Sequence, residues 1–183
     1  MAHIPINLSD QSIHIHAQRP LAFEMVSVLG VGGGVPQASN AGSTPSIKVL
    51  ATNGDRQLVE FHTPLKAGPW QMNWKTTEWV AVKHPTSIDF ELLPSGGILA
   101  GGLRQLTDRL EFVAQGNCTE LIYKSRFGIR WSIGGWLVGK ILVAPIIKSH
   151  MLEHLEDLKV KIENRARRSR LYPQLPCKED EQG

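Results

Sequence analysis

Apolar side chains return at steps of three and four through residues 144–162. Ala144, Ile147, Met151, Leu155, Leu158 and Ile162 therefore share one face of a 3.6-residue helix. Pro145 suits the first turn, where a missing N–H costs nothing. Asp157 with Lys161, and Glu163 with Arg167, are favourably ordered pairs four apart. Arg165, Arg167, Arg168 and Arg170 crowd the C-terminal end, where the helix dipole favours cations. The spacing predicts a long striped helix, with a shorter helical piece in 131–143 kinked from it at Pro145.

Before that helix the period is two. Ile13, Ile15 and Ala17 alternate with His14 and His16, which reads as a first strand. A short helix over 20–29 follows, opened by Pro20. Residues 30–45, GVGGGVPQASNAGSTP, are a loop by composition. They do not make a phosphate loop: the last glycine of the motif would fall on Val35, and no helix pattern follows to supply N-terminal amides.

From 46 to 127 the chain reads as strands and turns. Ile47, Val49 and Ala51 alternate up to the hairpin signal Asn53-Gly54-Asp55. Val59, Phe61, Thr63 and Leu65 share one face. So do Trp70, Met72, Trp74, Thr76, Glu78, Val80 and Val82 on the next strand. Ile88, Phe90 and Leu92 follow, then Arg104, Leu106, Asp108, Leu110 and Phe112, then Leu121, Tyr123, Ser125 and Phe127. Short turns between neighbours imply an antiparallel meander with one covered face. Only the late helix is long enough to cover it. The predicted class is α+β: a curved antiparallel sheet wrapped around a long C-terminal helix.

Composition narrows the function classes. The chain has 183 residues and 42% hydrophobic positions, enough for one domain with a real core. We expect that domain over 1–170, with a disordered tail at 171–183, LYPQLPCKEDEQG. A net charge of +3, concentrated in the late arginines, leaves no basic face with interleaved aromatics, so no nucleic-acid partner is expected. The apolar run 133–147 is broken by glycines, Lys140 and Pro145, which argues against an integral membrane protein. The N-terminal residues show no signal-peptide pattern, and the expected setting is the reduced cytoplasm. Cys118 and Cys177 are 59 positions apart, which is neither a metal nor a redox spacing.

The order strand, helix, meander, long helix resembles the START-like (SRPBCC) superfamily, with its helix-grip fold. That group includes polyketide cyclases/dehydrases, the birch-pollen allergen family and lipid-transfer domains. The likeness spans about residues 10–168. It is carried by Ile13-His14-Ile15-His16-Ala17-Gln18-Arg19-Pro20, by Gln115-Gly116-Asn117-Cys118-Thr119-Glu120-Leu121, and by Gly134-Gly135-Trp136 leading to Leu155-Glu156-Asp157-Leu158-Lys159. The family's second short helix is replaced here by the glycine-rich loop 30–45. The resemblance implies a ligand cavity between sheet and helix. It implies a hydrophobic small molecule or lipid as partner and no cofactor, and it carries over no catalytic residue.

The expected cavity lining is Phe61, Met72, Trp74, Phe90, Leu106, Phe112, Tyr123, Phe127, Ile147 and Met151. A filled core would use the same residue types. Glu78, Arg104 and Asp108 fall on the apolar faces, where a charge must be paired or shifted in pKa. They are the candidate catalytic groups: an acid/base in Glu78 or Asp108, and an anion clamp in Arg104. A bulge would instead turn them to water. His150-Met151-Leu152-Glu153-His154 has the H-x-x-E-H zinc order but lacks a distant acidic third ligand. His14 and His16 could share a metal, yet two ligands alone make no site, and none is predicted. Three functions fit: a carrier of an apolar ligand, a cyclase/dehydrase-type enzyme using the same cavity, or a partner-binding module with a closed pocket.

Overall fold

The computed structural model describes residues 4–30, 46–67, 70–93, 103–129 and 132–177. Among them eight strands form one antiparallel sheet: β1 Pro5–Asn7, β2 Gln11–Ile15, β3 Ser46–Asn53, β4 Arg56–Ala67, β5 Trp70–Lys83, β6 Ser87–Leu92, β7 Leu103–Gln115 and β8 Cys118–Ile129. The path across it runs β1-β8-β7-β6-β5-β4-β3. Both β1 and β2 pair with β8, at Pro5↔Gly128 and Gln11↔Tyr123, so they share one edge end to end. The alternation in 12–17 finds β2 but not β1, whose three residues are too few to show a period. At the opposite edge a bulge between Val49 and Ala51 breaks the β3 register. Val49, expected on a covered face, is exposed.

The tight turns follow their chemistry. Gly54 and Gly116 have φ of 61° and 58°, a region that suits glycine. The bond before Pro85 is cis. Two helical segments lie against the concave side. Helix α1, Arg19–Gly30, closes one end, with the Phe23 ring 5.1 Å from Phe112.

The second segment is helix α2, Ser132–Val138, then a π turn over Gly139–Val143, then α3, Ala144–Ala166. The sequence pattern places a kink at Pro145, but the irregularity lies upstream, in the π turn. Pro145 has no N–H to return to the preceding turn, so the ladder widens before the proline rather than breaking at it. Gly139 makes a close approach possible. A Cβ there would lie 2.5 Å from Ile6 Cδ1 and 2.9 Å from Ile129 Cδ1.

Among the described residues the core has two parts. The larger joins Ile15, Phe23, Val59, Val80, Ile88, Leu110, Phe112 and Leu121 to Leu155, Leu158 and Ile162 of α3. The smaller joins Ile6, Leu92, Leu106, Phe127 and Ile129 to Trp136 and Ile147. Along α3 the division falls between Ile147 and Leu155. Met151, buried between them, belongs to neither cluster.

Residues 171–177, assigned by composition to a disordered tail, run back over β2 and β8. Tyr172 packs on the larger cluster. Gln18 Nε2 donates to Pro173 O at 3.4 Å and Asn117 Nδ2 to Pro176 O at 3.1 Å. Cys177 is joined to Cys118 by a disulfide, with Cα atoms 5.4 Å apart. Their separation of 59 positions, neither a metal nor a redox spacing, gives no sign of this pairing: sequence spacing says nothing about two residues that the topology brings face to face.

Candidate functional site

Register places the acidic candidates on the concave face. Across the strands, Val59 pairs with Glu78, Glu78 with Leu92, Phe90 with Asp108 and Asp108 with Ser125. Paired residues of antiparallel strands point to the same side, so this row faces α3 with the aromatics. The row sits between the two apolar clusters. On β7 Asp108 separates Leu106 of the smaller cluster from Leu110 of the larger, and on β8 Ser125 separates Phe127 from Tyr123 and Leu121.

The polar contacts within this band are few. Thr76 Oγ1 donates to Glu78 Oε1 at 2.6 Å, and the Tyr123 hydroxyl donates to Asp108 Oδ2 at 3.1 Å. Asp108 Oδ1 and Ser125 Oγ are shielded from solvent, and neither meets hydrogen-bond geometry with a protein group.

Burial raises the Glu78 carboxyl to about 7; the Thr76 hydroxyl opposes the rise and the Asp108 charge adds to it. Burial also raises Asp108 to about 6, against the pull of nearby Ser125 and Tyr123. Tyr123 is held well above its ordinary value by burial first and then by Asp108. Near neutral pH the band thus contains a carboxyl group able to give or take a proton, a largely ionised neighbour and a phenol that keeps its proton.

The expected lining residues divide by packing. Leu106, Phe112, Phe127 and Met151 are buried, the first three within the clusters. Phe61, Phe90, Tyr123 and Ile147 are half-buried, with the Phe61 and Phe90 rings 6.2 Å apart. The side chains of Met72, Trp74 and Arg104 lie outside the described residues, as does His150. Glu78 and Asp108 keep the inward phase that alternation predicts. Thr76 and Ser125 were legible as inward positions, but nothing in the spacing marks them as partners of an acid.

The opposite face of the sheet is chemically different. An open groove of about 420 Å³ there is bordered by Arg56, Asp89, Glu91, Arg109, Lys124 and Arg126, and Phe90, Asp108 and Ser125 also contribute to its lining. Several of these charges pair with neighbours: Arg56 with Glu91 at 2.6 Å, Arg109 with Glu111 at 2.8 Å and Lys124 with Glu111 at 2.7 Å.

No family model matches the chain, and no curated protein does. Solved structures do. The Zhui aromatase/cyclase from Streptomyces sp. R1128 superposes with TM-score 0.65 at 14% identity, covering 88% of this chain and 96% of that one. A protein of Thermus thermophilus superposes with TM-score 0.62 at 16% identity, over 88% and 99%. Truncated norcoclaurine synthase from Thalictrum flavum gives 0.61 at 13% identity, over 88% and 95%. The chain has the helix-grip fold that these structures share, as the resemblance implied.

Proposed function

We propose that the protein binds a hydrophobic small molecule or lipid between the concave sheet and α3, with the polar band reading one polar group of that ligand. The observation that carries this is the uneven packing of one face. Val59, Val80, Ile88 and Leu121 have no accessible surface, while Phe61 and Tyr123 beside them retain some. A solidly packed core would leave no such gradient in the middle of the sheet. Several structural neighbours are named for chemistry on aromatic molecules, which suits an aromatic-walled site.

Native mass spectrometry of the full chain purified from cells tests the reading: a bound apolar molecule is expected. Anilinonaphthalene sulfonate should bind saturably, and Phe90→Ala should weaken it at least about tenfold through lost apolar contact. Absence of a bound mass, together with probe binding indifferent to Phe90, would remove the reading.

A second reading is favoured by the acid band. Glu78, with a proton to give or take near pH 7, could act as acid/base on a bound polyketide-type substrate, while Tyr123 steadies Asp108. In that case Glu78→Gln abolishes turnover and leaves ligand affinity within a few-fold. In a carrier the same change alters affinity alone.

A further inference from the structure

On the outer side of β2 and β8, far from the acid band, four metal-binding side chains converge. The donor atoms of His14, His16, Cys118 and Cys177 all lie within 4.8 Å of one another. We propose that, when the Cys118–Cys177 disulfide is reduced, these four side chains bind one divalent transition metal of the zinc class as a closed Cys2His2 site.

The scale fits. With zinc–sulfur near 2.3 Å and zinc–nitrogen near 2.0–2.1 Å, the edges of a tetrahedral site measure about 3.4–3.8 Å. His14 Nε2 lies 3.3 Å from Cys177 Sγ, and His16 Nδ1 lies 3.2 Å from the same sulfur. Opening the disulfide lets the sulfurs separate towards such an edge.

The protonation pattern also fits. Gln115 Nε2 donates to Glu120 Oε2 at 2.8 Å, which fixes the amide with Oε1 turned to His14. That oxygen accepts from His14 Nδ1 at 3.0 Å. In the neutral ring the proton is therefore on Nδ1, and Nε2 presents a lone pair to sulfur. A disulfide sulfur has no hydrogen either, so nothing bridges this contact in the oxidised protein. A metal ion would bridge it, with Gln115 and Glu120 as the outer pair that sets the tautomer.

Contacts besides the disulfide also place the four ligands. The alternation of β2 turns His14 and His16 outward, with Ile15 and Ala17 buried. Cys118 starts β8, and Thr119 next to it donates to Ala17 O at 2.8 Å. Cys177 is brought in by the Asn117–Pro176 and Gln18–Pro173 hydrogen bonds and by the packing of Tyr172. The backbone N–H of His16 donates to Glu163 Oε1 at 3.0 Å, which ties β2 to α3. Four protein ligands leave no open position, so the metal would be structural. It would fasten the tail to the sheet where thiols stay reduced, as the disulfide does where they are oxidised.

The steps balance. A phosphine reduces the disulfide to two thiols and becomes the phosphine oxide, with water supplying its oxygen and the two thiol hydrogens; one divalent metal ion then displaces two thiol protons to leave a neutral centre. The test uses the full chain, reduced with a phosphine under nitrogen and titrated with cobalt(II). Intense visible bands of tetrahedral cobalt and near-ultraviolet thiolate charge transfer should saturate at one equivalent, and zinc should displace them. His14→Ala and His16→Ala should each weaken zinc at least about tenfold, and Gln115→Ala about tenfold through the lost outer contact. His154→Ala should change nothing. If reduction frees the tail, zinc should restore protection from trypsin at Arg170. Failure of the bands to form, failure of that protection to return, or full affinity in both histidine variants would overturn the site.

Discussion

The two ends of the sheet carry different kinds of interior. Under α1 and the C-terminal half of α3, side chains are sealed: Ile15, Ile88, Leu121 and Ile162 expose nothing. Under α2 and the π turn a smaller cluster of five buried residues does the packing, and Ile147 is only half-buried. The acid band runs between them. On the proposed function, stability and binding fall to different lengths of one helix, and a change should reveal its region by the quantity it moves.

The largest expected contrast is within α3. Leu155→Ala should cost about 2–5 kcal/mol in chemical denaturation, and Ile147→Ala less than about 2 kcal/mol, because the second site is already open. Equal losses would erase the distinction between the ends.

Next is the acid band. The folded pKa of Glu78, about 7, lies above its ordinary 4.5. The folded state therefore binds the extra proton, and stability falls as pH rises between those values. In Glu78→Gln this fall should be absent. Relative to wild type the variant should gain on the order of 2–3 kcal/mol on going from pH 4 to pH 8. Parallel pH–stability curves would show that Glu78 is not held in a dry site.

Gly139→Leu tests the close approach at the π turn. It should destabilise by about 1–3 kcal/mol through overpacking against Ile6 and Ile129. It should also alter ligand affinity, which Leu155→Ala should leave alone in protein that remains folded. The smallest effect is expected at Lys161→Ala. That residue forms an exposed pair with Asp157 at 2.5 Å, and its loss should shift stability by no more than about 0.5 kcal/mol.

Much of this arrangement is legible in the chain. Period two across 70–127 places Glu78, Phe90, Asp108 and Tyr123 inward because one slip would reverse every residue, and no described bulge intervenes between them. The α3 stripe reads correctly for the same reason. Three features are not legible. β1 is too short to show a period. The π turn depends on where along the helix the N–H that Pro145 lacks is accommodated, which residue spacing does not show. The meeting of Cys118 and Cys177 depends on the tail folding back through hydrogen bonds to Gln18 and Asn117, which leave no trace in composition.

The cross-link has a mechanical consequence. It closes a covalent ring of chain around β8, α2 and α3, since the joined residues are 59 apart. The C-terminal end of α3 is thereby moored beside β2 and cannot swing outward to admit a guest. On the proposed function a ligand would enter at the other end, beside the π turn, and a nick anywhere within the ring would leave both pieces travelling together until a reductant parts them.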